Sequence, residues 1–121
     1  MRMKWLAAFA VASLAAAATA HHSFSMFDMK KDVTAKGTVT EFKWTNPHAW
    51  MHVDVADAKG ATTNWAIEMT SPNNLVSVGW RRSSLKPGDK VTVTYHPLVN
   101  GKAGGSLVKV VLPDGKVLEN K

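Results

Sequence analysis

The segment Trp50–Ser71, WMHVDVADAKGATTNWAIEMTS, decides the fold class. Apolar and polar residues alternate from Trp50 to Val55 and again from Thr62 to Met69, which is typical of two strands that each bury one face. The four residues DAKG between them predict a hairpin turn. Ser71 is a favourable helix N-cap and Pro72 fits the first helical position, so a short helix is expected directly after the second strand.

Strands are also predicted on both sides of this segment. Upstream, Thr34–Trp44 is rich in Thr, Val and aromatic residues, Gly37 predicts a bulge or sharp bend, and Asn46-Pro47 ends the strand. Gly79 is expected to stop the helix. Three later stretches predict strands, the first two joined by a hairpin loop at Gly101–Gly105: Lys90–His96, Leu107–Leu112 and Lys116–Leu118.

The order of these elements predicts a mainly β fold. The first three strands, the short helix and the next two strands match the OB-fold, a five-stranded Greek-key barrel with one short helix between strands 3 and 4. A meandering β-sandwich is the alternative, but a lone helix after the third strand favours the barrel. No repeat or linker divides the domain. The predicted organisation is a signal peptide at 1–20, an N-terminal arm at 21–32 and an OB-like β-barrel domain at 33–121.

The first twenty residues predict export. Arg2 and Lys4 precede an apolar run from Trp5 to about Ala17, and Ala18-Thr19-Ala20 fits the small-x-small rule for signal peptide cleavage. The run is shorter than the roughly 20 apolar residues that a membrane span requires, so a cleaved leader is favoured over an uncleaved anchor. We therefore expect a periplasmic protein that is cleaved after Ala20 and has no membrane span in its mature chain.

Composition excludes several functional classes. The formal charge is +6, but Arg2 and Lys4 belong to the leader and the remaining lysines are scattered, so no nucleic-acid partner is expected. The chain has no cysteine, which rules out disulfides, thiolate metal sites and a cysteine nucleophile. It also has no nucleophile-elbow motif and no phosphate-binding glycine loop. The sequence therefore predicts a protein that is not an enzyme.

An ordered set of motifs covers nearly the whole chain after residue 20. The motifs are His21–Phe24 (HHSF), Glu41–Trp50 (E-x-x-W-x-N-P-H-x-W), Asn64-Trp65, Ser71–Leu75 (S-P-N-x-L), Gly79-Trp80 and Ser84–Asp89 (S-L-K-P-G-D). In this combination the chain resembles a family of short exported bacterial proteins of unknown function. The resemblance implies a periplasmic domain with an OB-like barrel and no settled activity. A Pro-rich acidic stretch that family members often carry after the first Phe is replaced here by Met26–Lys31.

Histidines at the predicted mature N-terminus are the first candidates for chemistry. After cleavage, His21 would have a free α-amine beside its own imidazole, and both groups offer lone pairs around neutral pH. His22 and His48, which follows the Asn46-Pro47 turn, are expected to complete a metal site. An imidazole-rich site without thiolates suits copper, and also zinc or nickel. The alternative is a solvated His-His arm that binds metal only adventitiously.

His52 is not expected to share that metal. It lies four residues from His48, which corresponds to about 13 Å along an extended strand, whereas ligands of one metal must converge within a few ångströms. It is expected instead, with Trp44 and Trp50, to form a ligand-binding surface of the kind that OB-folds present on strands 2 and 3. The alternative is that the tryptophans fill the core and cover the ends of a small barrel.

Two functions from different classes follow from these candidates. The leading hypothesis is a periplasmic carrier, sensor or accessory factor that binds a transition metal, with copper favoured. The competing hypothesis is a metal-free binding module for a protein, a peptide or a small ligand.

Overall fold

A computed structural model of the protein describes residues 26–121. It contains six strands and one short helix, with the bounds β1 Val33–Lys43, β2 Trp50–Ala56, β3 Thr62–Glu68, α1 Pro72–Ser77, β4 Lys90–Pro97, β5 Gly104–Val111 and β6 Val117–Glu119.

The first five strands form a closed barrel. The order of the sheet is β3-β2-β1-β4-β5-β6, and a further parallel pairing of β3 with β5 closes the first five strands on themselves. β1 is long enough to pair with β4 through its first half and with β2 through its second half. The mainly β, five-stranded OB-like barrel with a helix between β3 and β4 is thus confirmed, and β6 adds a sixth strand at the edge of β5.

Alternating side chains of the strands fill the barrel. Met51 and Val53 of β2 are fully buried and pair with Ile67 and Trp65 of β3, as the alternation in the sequence predicts. Trp65 also packs against Tyr95, with 5.4 Å between ring centroids. Burial of an aliphatic or aromatic side chain of this size stabilises the fold by roughly 1.5–3 kcal/mol, so this core supplies most of the favourable free energy.

The short helix packs against the core through Leu75, which is fully buried. The Ser71 hydroxyl accepts a hydrogen bond from the backbone N–H of Asn74 (3.3 Å), and Gly79, with φ of 101°, follows the last turn. These positions confirm the predicted N-cap and stop. Trp80, the next residue, is fully buried and donates from Nε1 to the backbone carbonyl of Glu119 (2.9 Å). The helix end and β6 are therefore joined through one indole ring.

Gly104 and Gly105 belong to a strand, and the prediction of a loop through Gly105 was wrong. A Cβ on Gly105 would lie 2.5 Å from Cδ2 of Tyr95 and 2.6 Å from the carbonyl oxygen of His96. Glycine is required here because neighbouring strands approach closely, and neither residue has a positive φ. Sequence alone does not distinguish such a glycine from one in a turn.

Gly37 also serves close packing. The bulge in β1 lies between Val39 and Glu41, whereas a Cβ on Gly37 would lie 2.5 Å from the carbonyl oxygen of Asp54. The prediction of a bulge or bend at Gly37 therefore identified the right strand but placed its irregularity a few residues early.

The arm that precedes β1 is attached to the end of β4. Phe27 forms an antiparallel bridge with Leu98, and the backbone N–H of Asp28 donates to the carbonyl of Pro97 (2.8 Å). His96 Nδ1 lies 3.0 Å from both the carbonyl oxygen of Lys31 and Oδ1 of Asp32. The His96 side chain is only 18% exposed and holds the arm in place.

No helix within the described part of the chain is long and apolar enough to cross a membrane.

Gly105→Ala tests the role of this glycine in barrel closure. We expect the free energy of unfolding to fall by about 2 kcal/mol or more, because the added methyl group overlaps Tyr95 and the backbone of His96. Chemical denaturation followed by tryptophan fluorescence measures the change. Ser106→Ala, in the same strand, is the matched control and should change the free energy by less than about 0.5 kcal/mol. Equal effects of the two substitutions would contradict the packing explanation.

The turn before β4 provides a pH-dependent test. Asp89 accepts hydrogen bonds from the side chain and the backbone N–H of Lys86, both at 3.0 Å, and these bonds keep the pKa of the Asp89 carboxyl below its ordinary value despite burial. We expect Asp89→Asn to lower the free energy of unfolding at neutral pH by about 0.5–1 kcal/mol.

Since the lowered pKa belongs to the folded state, the Asp89 carboxylate stabilises the protein above its unfolded-state pKa. The stabilisation is lost as the pH falls through the folded-state pKa. Urea denaturation of wild-type protein and Asp89→Asn between pH 7 and pH 2 should therefore show a difference that is constant above about pH 5 and vanishes in acid. A difference that grows on acidification would refute this assignment.

Candidate functional site

The outward side chains of β1, β2 and β3 form one surface. Along β2, Trp50, His52 and Asp54 point away from the core, because Met51 and Val53 between them are buried. Register adds the residues opposite these three on the neighbouring strands. The β2–β3 face thus comprises Thr38, Glu41, Lys43, Trp50, His52, Asp54, Asn64, Ala66 and Glu68.

A hydrogen-bonded group around Asn64 organises one end of this face. The Asn64 amide donates to Oδ1 of Asp54 (2.8 Å) and to Oγ1 of Thr40 (3.0 Å). Its carbonyl oxygen lies 3.4 Å from Nδ1 of His52, which is the donor in this long hydrogen bond. Asp54 and Asn64 are opposite each other in the register of β2 and β3, so the pairing of the two strands brings these groups together.

His48 lies at the other end of the face, in the β1–β2 turn. This turn includes a cis peptide bond between Asn46 and Pro47, and the Thr45 hydroxyl donates to the carbonyl of His48 (3.0 Å). The neighbouring residue, Ala49, is fully buried and extends the pairing with the chain after β3, where the backbone N–H of Met69 donates to its carbonyl (2.9 Å). The backbone that carries His48 is therefore held against β3.

The imidazole of His48 contacts the carboxylate of Glu68. Nδ1 lies 2.6 Å from Oε1, and the side chains are 28% and 14% exposed. A carboxylate only accepts hydrogen bonds, so Nδ1 carries the proton in this contact, and in the neutral ring Nε2 then has the lone pair. This contact ties the β1–β2 turn to the end of β3 and fixes the tautomer of the neutral ring.

Two of the three predicted metal ligands, His21 and His22, lie outside the described residues. Between Met26 and Lys121, no group of three or more His, Asp or Glu side chains is arranged to hold a metal ion. His48 and His52 have different partners, Glu68 for the first and Asn64 for the second.

The residues predicted to bind a ligand are divided between two environments. Trp50 and His52 lie on the β2–β3 face and are partly exposed. Trp44 packs against the hydrophobic core, and its ring meets that of Phe42 edge to face, with 5.8 Å between centroids. The structure thus brings Trp50 and His52 together on one surface and places Trp44 beside the core.

Glu68 and Asn64 are the residues of this face that sequence reasoning missed as site residues. The alternation from Thr62 to Met69 predicts that both side chains point outward from the strand, but it gives neither of them a partner. The signal that could have found them is the hairpin register. Trp50 pairs with Glu68 and Asp54 pairs with Asn64, so Glu68 and Asn64 lie on the same surface as the predicted site residues.

Acidic groups outnumber basic groups on the β2–β3 face. Glu41, Asp54 and Glu68 provide three carboxylates, whereas Lys43 is the one lysine and lies 3.9 Å from Glu41. Carboxylates on a shared surface attract cations and repel anions.

The chain is similar in fold to the mitochondrial single-stranded DNA-binding protein Rim1 of S. cerevisiae, known from a crystal structure. The TM-score is 0.50 at 13% sequence identity, and the similar region covers 75% of this chain and 97% of the other. At this identity the likeness shows the OB-fold and nothing about activity. A comparison with curated proteins finds no match. A family model matches residues 8–107, which is most of the chain, and the protein therefore belongs to DUF6152, a family of unknown function.

Proposed function

We propose that the protein is an exported periplasmic domain that binds copper through the amine and imidazole of His21, the imidazole of His22 and the imidazole of His48. It acts as a carrier, sensor or accessory factor. The single observation that carries the proposal is the 2.6 Å contact between Nδ1 of His48 and Oε1 of Glu68. Periplasmic export rests on the leader sequence of residues 1–20.

The hydrogen bond between His48 and Glu68 is of the kind that metal-binding histidines make. A histidine ligand almost always donates its second ring N–H to a carboxylate, a carbonyl or water, which fixes the tautomer and raises the basicity of the coordinating nitrogen. With Nδ1 donating to Glu68, the coordinating nitrogen of His48 is Nε2. Glu68 is then a positioning residue that need not contact the metal.

The attachment of the arm supports a site shared with the mature N-terminus. The carbonyl of Met26, five residues after His21, accepts a hydrogen bond from the backbone N–H of Val99 (3.0 Å). Five extended residues span up to about 17 Å. Three pairings separate the arm from β3. The arm pairs with the segment after β4, that segment pairs with the start of β5, and β5 pairs with β3. At about 4.8 Å each these pairings total about 14 Å across the strands, which brings the Ala66 end of β3 within the span of five extended residues.

Charge on the β2–β3 face also favours a cation. Its three carboxylates, from Glu41, Asp54 and Glu68, attract a metal ion and would repel the phosphates of a nucleic acid. The similarity to a single-stranded DNA-binding protein is therefore not accompanied by a basic binding face, and we do not propose a nucleic-acid function.

Copper titration of correctly processed protein tests the proposed site. Protein confirmed by mass spectrometry to begin at His21 is compared with a form carrying one extra residue before His21, and copper affinity is measured by competition with a chromophoric chelator. We expect the extension and His48→Ala each to weaken binding at least about 100-fold, because each removes a nitrogen ligand. Glu68→Gln should weaken binding about 10–100-fold by loosening the imidazole of His48.

His52→Ala is the matched control, since it removes a second partly exposed imidazole from the same face but is not a proposed ligand. Its copper affinity should equal that of the wild type. Unchanged affinity on extension would eliminate the terminal-amine ligand. Micromolar or weaker binding in every form would indicate an adventitious His-His arm.

The second candidate function is a metal-free module that binds a protein, a peptide or a small ligand. The observation that favours it is the exposure of Trp50 next to His52, whose ring is held by Asn64. A partly exposed indole beside a hydrogen-bonding group is a common element of recognition surfaces. On this hypothesis the binding surface consists of Trp50 and His52.

Trp50→Ala tests this module. Immobilised protein is incubated with periplasmic extract in the presence of a chelator, and captured proteins are identified by mass spectrometry. We expect Trp50→Ala to lose any specific partner while its circular dichroism spectrum stays unchanged. Val117→Ala, which shortens a half-exposed side chain on β6, should retain the partner. Capture by Trp50→Ala at the wild-type level would remove this face from consideration.

A further inference from the structure

A cleft of about 700 Å³ lies where β1 and β4 meet the turn between β5 and β6. Ligand pockets in proteins commonly have volumes of about 300–1,000 Å³. We propose that this β1–β4 cleft binds a small amphiphilic anion, with a phosphate-type oxyanion head between Lys36 and Lys90 and an apolar body on Val111, Leu112 and Pro113. The proposal concerns a second site and does not depend on copper binding.

Strand register brings two lysines to the same side of the sheet. Lys36 is opposite Thr92, and Lys90 is opposite Thr38, so the two lysines are diagonal neighbours on adjacent strands. Diagonal neighbours on one face are about 7–8 Å apart, which lets two long side chains converge on one ion. Two ammonium groups that converge repel each other, and an anion between them relieves the repulsion. Two lysines that project from adjacent strands on one face are therefore a feature that an oxyanion would recognise.

Hydroxyl groups add directional contacts to these charges. The Lys90 ammonium donates to Oγ1 of Thr38 (3.0 Å), which holds it against the sheet beside the cleft. As the acceptor in this contact, Thr38 keeps its own hydroxyl proton to donate to a ligand. The Thr92 hydroxyl lies on the same lining, opposite Lys36. Two ammonium groups and two hydroxyls can thus supply the several donors that a phosphate oxygen cluster requires.

One carboxylate, that of Asp54, also lines the cleft. Its Oδ1 accepts a hydrogen bond from the Asn64 amide at 2.8 Å, which draws it toward β3. The side of the cleft between Lys36 and Lys90 is therefore the positively charged side. The head of the ligand is expected there, away from this carboxylate.

The remaining wall of the cleft is apolar. Val111, Leu112 and Pro113 lead out of β5 into the hairpin, and the backbone N–H of Leu112 donates to the carbonyl of Lys116 (2.8 Å). This bond fixes the turn, so the apolar wall is already formed without a ligand. An inorganic anion alone would not bury this apolar wall, whereas an alkyl or aryl group attached to the oxyanion would pack against it and bury it. The wall is the reason for specifying an amphiphile.

Titration with hexyl phosphate, inorganic phosphate and hexanol tests the proposal. The ¹H–¹⁵N spectrum of labelled protein is followed in metal-free buffer at matched ionic strength. Hexyl phosphate should shift the amides of Lys36–Thr38, Lys90–Thr92 and Val111–Leu112, and should bind at least tenfold more tightly than inorganic phosphate. Hexanol should cause no saturable shift at these positions.

The double variant K36A/K90A should weaken hexyl phosphate binding at least tenfold. K30A/K102A is the control, because it removes the same charge from two exposed lysines outside the cleft and should bind as the wild type does. Equal affinity of the two phosphates would overturn the amphiphile assignment. Equal weakening in both double variants, or shifts confined to other surfaces, would overturn the site itself. An unchanged spectrum of the unliganded K36A/K90A protein outside the substituted strands establishes that the fold is intact.

Discussion

The parallel pairing of β3 with β5 is the constraint on which the rest of the structure depends. It consists of only three residue pairs, Ala66–Glu68 with Gly104–Ser106. Without it the five strands would form an open sheet whose apolar face and two edges remain exposed. With it the inner side chains share one core, and the segment after β4 comes to lie beside β3. The position of Glu68 beside Ser106 of β5 is a consequence of this closure.

Much of the fold was predictable because it depends on local patterns. The alternation in β2 and β3 predicted their buried faces, and Ser71, Pro72 and Gly79 set the bounds of the helix within about two residues. The glycines were the exception. Gly104 and Gly105 resemble loop residues in the sequence, but their function is to let other strands approach, and that requirement is created by residues far away in the chain. A short stretch of sequence does not reveal a requirement that distant residues create.

The candidate site was predictable only in part, for a related reason. His52, Trp50 and Asp54 were placed on one outward face by simple alternation, and the structure has them there. Glu68 was not connected with His48 because the link depends on how the β1–β2 turn folds back against the end of β3. No spacing rule in the sequence gives that geometry. The acidic character of the β2–β3 face likewise appears only when the carboxylates of three strands are assembled.

The hydrogen bond between the Trp80 indole and the carbonyl of Glu119 affects how the domain unfolds. β6 is short and lies outside the barrel, so it could be mistaken for an addition that unfolds independently. The chain beyond the helix relies on it, however, and Asn120 binds both the backbone N–H of Thr70 (2.8 Å) and the carbonyl of Leu107 (2.9 Å). Detachment of the C-terminal segment would leave the buried indole N–H of Trp80 and the backbone N–H of Thr70 without their hydrogen-bond acceptors. We therefore expect the C-terminal segment to unfold together with the core and not before it.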